Sequence, residues 1–332
     1  MKFTMKSILA AGLVAAMSAG AVDATYPCPD GAGDGAQGRW AIQKGGAFWL
    51  GVYKTPAGQT GASLLWGGGS PNPQYDVKLD GKTATMKQNC GKDRVRVTTV
   101  KADGEKAEIT FQMTNKQGVP QGKPEVCKAK RIPPVGPAPD PAKAKLGQPV
   151  DLLAGGIDGW EAMNPKAYFG WSLKDGVLSN RIRRRPNGKP YGGDSNIVTK
   201  RRDFFDFKLS YDVRVLPHCN SGVYLRGIYE LQVLDSYGQK LDRHNMAALY
   251  GRVTPACAAE KPANEWQHVD ATLYKRHLTV VLNGKKIIDN EPVLGCTGGA
   301  LTSDEFVPGP LYLQGDHSDA DFRNMILTPI EK

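Results

Sequence analysis

The sequence predicts an all-β protein, on three observations. No long segment carries a 3.6-residue apolar period. Short runs of β-branched and aromatic residues alternate with polar ones instead, most strictly from Phe207 to Val215 and from Trp266 to Tyr274. Asn283-Gly284 stands between two such runs, 277–282 and 285–288, and is a strong hairpin signal because both turn positions need positive φ.

In chain order, residues 1–24 read as a secretory leader. Lys2 and Lys6 precede an apolar run from Ile8 to Val22, and Val22-Asp23-Ala24 ends in a small-residue exit. The run falls short of the roughly 20 apolar residues of a membrane span, and Tyr26-Pro27 before Cys28 does not fit a lipobox. The mature chain is therefore expected in the periplasm or outside the cell, not spanning a membrane. At about 308 residues it has room for two domains of ordinary size, each with its own core.

Residues 25–131 form the smaller all-β domain. Runs at 47–53, 62–66, 94–100 and 107–113 are separated by Gly67-Gly68-Gly69-Ser70-Pro71, Asp80-Gly81 and Asp103-Gly104, the spacing of a small barrel or sandwich. Trp49 and Trp66 suit either sugar stacking or a core, and no catalytic constellation is visible, so an accessory or binding role is expected here. Prolines recur every second or third residue from Pro133 to Pro141, marking 132–147 as a semi-rigid linker. Residues 148–332 hold many antiparallel runs and predict a double-sheet sandwich.

Six cysteines in an exported chain permit disulfides, and Cys90–Cys127 and Cys257–Cys296 are the expected pairs. Net charge is +10, or +9 once Lys2, Lys6 and Asp23 leave with the leader. The basic runs Arg181–Arg185 and Lys200–Arg202 lack an aromatic-interleaved helix or a nucleic-acid motif, so they read as a solvated face or an acidic-surface contact, and no nucleic-acid partner is expected.

Residues 220–236 are the most informative. By strand parity, Val223, Leu225, Tyr229, Leu231 and Val233 face one way, and Tyr224, Arg226, Glu230 and Gln232 the other. The second set suits a sugar, although Glu230 and Arg226 also suit a plain cross-strand ion pair. Asp235 has the wrong parity and needs a β-bulge to join that face. The spacing Glu230-x-Gln232-x-x-Asp235 resembles the bulged acid motif of laminarinase-type glycoside hydrolases. Gln232 replaces the middle acid, which argues against ordinary double displacement by two carboxyls about 5–5.5 Å apart. Near the end, Asp316 and His317 sit in a polar turn, and His317 is a candidate acid or base. His218, His244, His268 and His277 show no metal-ligand spacing and are expected at the surface.

Taken together, Asn220-Ser221-Gly222, Tyr224-Leu225-Arg226 and Tyr229 to Ser236 resemble the central signature of the 3-keto-disaccharide hydrolase domain family. Asp158-Gly159-Trp160, Trp171 to Leu178, Ala248-Leu249-Tyr250, Pro262 to Trp266 and Leu313 to His317 fit in order, so the resemblance covers about 148–331. Ser318 departs from the glycine common there. The resemblance implies a concanavalin-like jelly roll and substrates oxidised to a ketone at sugar C3. Such a ketone acidifies the C2 proton, so elimination and hydration cleave the glycoside without an oxocarbenium ion. It further implies Glu230 or His317 as acid or base and Arg226 at the developing enolate. Asn220, Gln232 and Asp235 would hold hydroxyls or a divalent metal, Tyr224 and Tyr250 would line the site, and Gln314 would contact sugar. Any such metal would serve as the electrophile. A separate oxidoreductase would supply the keto-sugar, since no dinucleotide motif is present. A carbohydrate-binding module and a surface adhesion protein are the alternatives.

Overall fold

The computed structural model describes residues 33–55 and 57–331. The expected leader and Cys28 lie outside them. The described residues are all-β, with two single-turn 3-10 helices beside the strands. No described helix is long and apolar enough to cross a membrane.

The first unit is one antiparallel sheet of nine strands. They are β1 (Gly38–Ile42), β2 (Phe48–Lys54), β3 (Thr60–Trp66), β4 (Asn72–Pro73), β5 (Tyr75–Asp80), β6 (Thr83–Asn89), β7 (Val95–Asp103), β8 (Lys106–Thr114) and β9 (Glu125–Ile132). Their spatial order is β4-β3-β2-β1-β9-β8-β7-β6-β5. Alternation sends Trp40, Ile42, Leu50, Val52, Leu64, Met86, Val100, Ile109 and Phe111 into one core. Strands β6 to β8 leave their other face more open, as their mixed sequence predicts. Strands β1 to β3 do not. Their second face puts Ala41, Trp49 and Leu65 into the core of the following unit.

That unit is a jelly-roll sandwich. One sheet orders Trp171–Lys174, Val177–Asn180, Ala320–Pro329, Phe207–Val215, Trp266–Tyr274, His277–Leu282 and Lys285–Pro292, with Val150–Asp151 pairing Ala320–Pro329. The other orders Trp160–Ala162, Ile197–Thr199, Tyr312–Leu313, Asn220–Leu225 and Tyr229–Leu234. Phe207, Leu209, Tyr211, Val213 and Val215 meet Val223, Leu225, Leu231 and Val233 between them. The two alternating runs form strands with the expected bounds, and Asn283 and Gly284 turn the hairpin at φ 50° and 81°.

The proline-rich stretch lies along the second unit. The Pro133 carbonyl accepts from Arg39 and Arg276 at 3.0 and 3.1 Å, and the Pro139 carbonyl from Asn290 at 2.8 Å.

The expected disulfides are not formed. All five described cysteines are free thiols. Cys90 follows β6 and Cys127 sits on β9, with β7 and β8 between them. Three strand spacings put them roughly 14 Å apart along the sheet, beyond the reach of a disulfide. Cys296 is buried in the sandwich core, where desolvation pushes its thiol up to about 12.

The basic run is neutralised within the chain. Arg181, Arg183 and Arg184 pair with Asp321, Asp194 and Asp319 at 2.7–3.1 Å. His277 is buried, contrary to expectation, on a strand whose neighbours pack on both sides. His268 is exposed and bridges Asp212 and Asp270.

Candidate active site

Glu230 lies on Tyr229–Leu234 directly opposite Tyr224 of Asn220–Leu225, and Gln232 lies opposite Gly222. Alternation sends their neighbours into the sandwich core and leaves Tyr224, Glu230 and Gln232 on the other face. The strand Tyr312–Leu313 extends this face, with Tyr312 opposite Tyr224. The two rings stack with centroids 4.1 Å apart and planes 12° from parallel.

The Glu230 carboxyl folds over Gly222. A Cβ at position 222 would stand 2.3 Å from Oε1 and 3.0 Å from the carboxyl carbon, so any larger residue would displace it. Glu230 is 3 % exposed. Burial pushes its pKa up to about 8; a hydrogen bond with Tyr224 opposes this and the charge of Asp316 adds to it. No cation contributes to that balance. The Tyr224 hydroxyl donates its one proton to the Gly298 carbonyl at 2.9 Å. Burial and the nearby Asp316 charge thus favour a neutral Glu230 at pH 7.

The turn carrying Asp316 and His317 is held from below. Asn196 Oδ1 accepts from the amides of Gly315 and Asp316 at 2.7 and 3.2 Å, and Asn180 donates to the carbonyls of Gly315 and Ser318, both at 2.9 Å. His317 Nδ1 hydrogen-bonds Asp316 Oδ1 at 2.5 Å, and this contact raises the imidazole above its usual range. The His317 side chain is half exposed, open to a ligand.

Tyr250 completes the group. Its amide donates to the Glu230 carbonyl at 3.0 Å, and its half-buried phenol is raised first by burial and next by Glu230. Gln314 donates its amide to the Gly222 carbonyl at 2.9 Å and sits at the edge of the same face.

Three expected site residues lie elsewhere. Arg226 occupies the turn between the paired strands at φ 57°, where the parity rule no longer holds. Its buried guanidinium donates to the Glu305 carbonyl at 2.7 Å and stacks on Phe205, so neither the enolate role nor the ion pair with Glu230 is realised. Asp235 follows a register that runs without a shift, so the expected bulge is absent; its carboxylate accepts from the His218 amide at 3.0 Å. Asn220 is exposed at the start of its strand, its amide donating to Ser318 Oγ at 2.8 Å. Trp49 is core, and Trp66 packs against Phe48 and Phe111, so neither is an open sugar platform.

The donor set does not suit the divalent metal either. Among the described residues no three His, Cys, Asp or Glu side chains group as ligands. Tyr312 and Asp316 belong to the site and were missed. Parity from Leu313 would have found the first, and adjacency to His317 the second.

The family described as a 3-keto-alpha-glucoside-1,2-lyase-like domain matches residues 149–328. No curated protein matches the chain. Among solved structures, a candidate glycosyl hydrolase from Parabacteroides distasonis ATCC 8503 is 24% identical, with 57% of this chain and 92% of that chain covered and a TM-score of 0.42. The carbohydrate-binding module CBM66 from Bacillus subtilis is 14% identical, covering 50% and 93%, with a TM-score of 0.33. A non-specific endo-beta-1,3(4)-glucanase of family GH16 is 11% identical, covering 59% and 95%, with a TM-score of 0.36.

Proposed function

The chain belongs to the 3-keto-alpha-glucoside-1,2-lyase-like domain family through residues 149–328, which makes it a carbohydrate-active protein, and on that premise we propose that it cleaves 3-keto-glycosides by elimination. The observation that carries this reading is Glu230, a buried carboxyl with no cation beside it and a pKa of about 8. Such a group is a proton donor at neutral pH.

In the proposed reaction a base removes the proton at C2, and the electron pair forms an enolate with the C3 oxygen. His317, whose protonated form Asp316 favours, donates a hydrogen bond to that oxygen as charge develops. The ketone then re-forms, the C1–C2 double bond appears and the C1–O bond breaks. Glu230 gives its proton to the departing oxygen. Glu230 then takes a proton from the water that adds at C1, and the protonated base returns its proton to C2, completing hydrolysis. Hydroxyls of Tyr224 and Tyr312 and the amides of Gln232 and Gln314 border the sugar. The substrate requires prior oxidation at C3, the work of a separate oxidoreductase, and we place both in the periplasm or outside the cell.

The test compares 3-keto-trehalose with trehalose and reads reducing-sugar release. Cleavage of the keto-sugar alone, lost in Glu230→Gln, is expected. If a panel of keto-glycosides stays intact while unoxidised glycans bind, the domain is a binding module.

A further inference from the structure

The proposed reaction needs a base, and a relay across the two units supplies one. The loop after β3, Gly67-Gly68-Gly69-Ser70, lies against the second unit at two glycines, and Trp49 of β2 at a third. A Cβ at Gly251 would stand 2.6 Å from Ser70 Oγ, one at Gly298 2.2 Å from the Gly69 carbonyl oxygen, and one at Gly295 2.6 Å from Trp49 Nε1. The Gly299 amide donates to the Gly67 carbonyl at 2.8 Å. The first unit therefore approaches the site through backbone that only glycine leaves open.

At the tip, Ser70 Oγ lies 2.7 Å from His244 Nε2. His244 Nδ1 hydrogen-bonds Asp242, which also accepts from the His244 amide at 2.9 Å. That contact sets the tautomer: Nδ1 carries the proton and Nε2 accepts from Ser70. Ser70 also faces the Tyr250 phenol and lowers its pKa, and the His244 ring packs edge-on against Tyr250 with centroids 5.1 Å apart. With Ser70 donating to His244, the serine oxygen is left to accept from Tyr250, so a proton can pass from Tyr250 to Ser70 to His244, whose imidazole Asp242 holds.

Resting on the keto-glycoside reading above, we infer that Tyr250 is the base that takes the C2 proton, and that Ser70 of the first unit positions it and passes its proton on to His244. As the phenol oxygen takes the proton from C2, its own proton moves to Ser70 Oγ, the serine proton moves to His244 Nε2, and Asp242 stabilises the imidazolium. The C–H electron pair goes to the enolate, so charge and protons balance. The relay answers a difficulty: burial and Glu230 keep the phenol above its usual range, so a free phenolate is scarce. Losing one proton while gaining another avoids it. Glu230, Tyr224, Asp242, His244 and Arg243 are ionisable groups facing this chain of bonds. Among the other histidines, the His268 ring bonds Asp212 and Asp270, the His277 ring a backbone carbonyl and the His317 ring Asp316, none of them through a hydroxyl.

The test is deuterium incorporation at C2 of 3-keto-trehalose in D2O, measured beside cleavage and thermal melting on the full chain. Wild type exchanges and cleaves. Glu230→Gln keeps exchange and loses cleavage. Tyr250→Phe loses both, by about 10²–10⁴-fold. Ser70→Ala loses exchange by about 10²-fold at unchanged melting temperature, and Ser70→Thr, which keeps the hydroxyl, restores it. A Ser70→Ala protein that exchanges and cleaves at the wild-type rate overturns the relay and leaves the reaction standing. A wild type that neither exchanges nor cleaves any keto-glycoside overturns both.

Discussion

Two glutamates are buried where the two units meet, and their surroundings are opposite. Glu305, fully buried, is met by Arg276 at 3.2 Å, the Tyr229 hydroxyl at 2.8 Å and the Gly295 amide at 3.2 Å, and its own carbonyl holds Arg226. Glu230 has tyrosines and the carboxylate of Asp316 around it. A buried carboxylate among donors and guanidinium groups is an anchor. One among phenols and another acid is held protonated, ready to give that proton away. The difference separates structure from chemistry at similar depth in the same molecule.

Substitutions sharpen this contrast. The largest expected effect is on turnover: Glu230→Gln keeps the fold and lowers keto-glycoside cleavage by about 10²–10⁴-fold, read by initial rates. Glu305→Ala reverses the pattern, costing about 3–5 kcal/mol of stability in a denaturant melt, because it strands buried guanidinium groups. Gly222→Ala tests the room that the Glu230 carboxyl needs. Displacing that group by about 1 Å should lower the rate by about 10²-fold with little change in melting temperature.

The smallest effect is the most diagnostic. Glu230 has a folded pKa raised to about 8 from an ordinary 4.5. The folded chain thus binds more protons between these values than the unfolded chain does. The associated stability is present in full below pH 4.5 and is lost as pH rises through about 8. Glu230→Gln escapes that loss, so it should melt a few degrees above wild type at pH 9 and close to it at pH 5. Activity should fall over the same alkaline limb as the acid is ionised.

Much of the fold was legible because strand alternation is local. The runs ending at Val215 and Tyr274 and the Asn283-Gly284 turn needed no tertiary information. Tyr224 and Glu230 share a face for the same reason. Parity misled at Arg226, where the chain turns at positive φ; at Asp235 parity held, and the expected bulge is absent. It could say nothing of Trp49 and Leu65. Those positions are apolar on both faces of their strands, a sign that a second partner covers them, but the partner is set by packing far along the chain. Ser70 and His244, 174 residues apart, carried no sequence signal linking them. The proline-rich stretch invited a cut between two independent units, yet β1 to β3 share a core with the sandwich.

Whether Glu230 holds a proton at neutral pH decides most. A ¹³C NMR titration of glutamate carboxyl carbons, with the signal assigned by its absence in Glu230→Gln, measures this directly. A midpoint near 8 is predicted. A midpoint near 4.5 would make Glu230 an ordinary carboxylate at pH 7 and contradict its role as the acid.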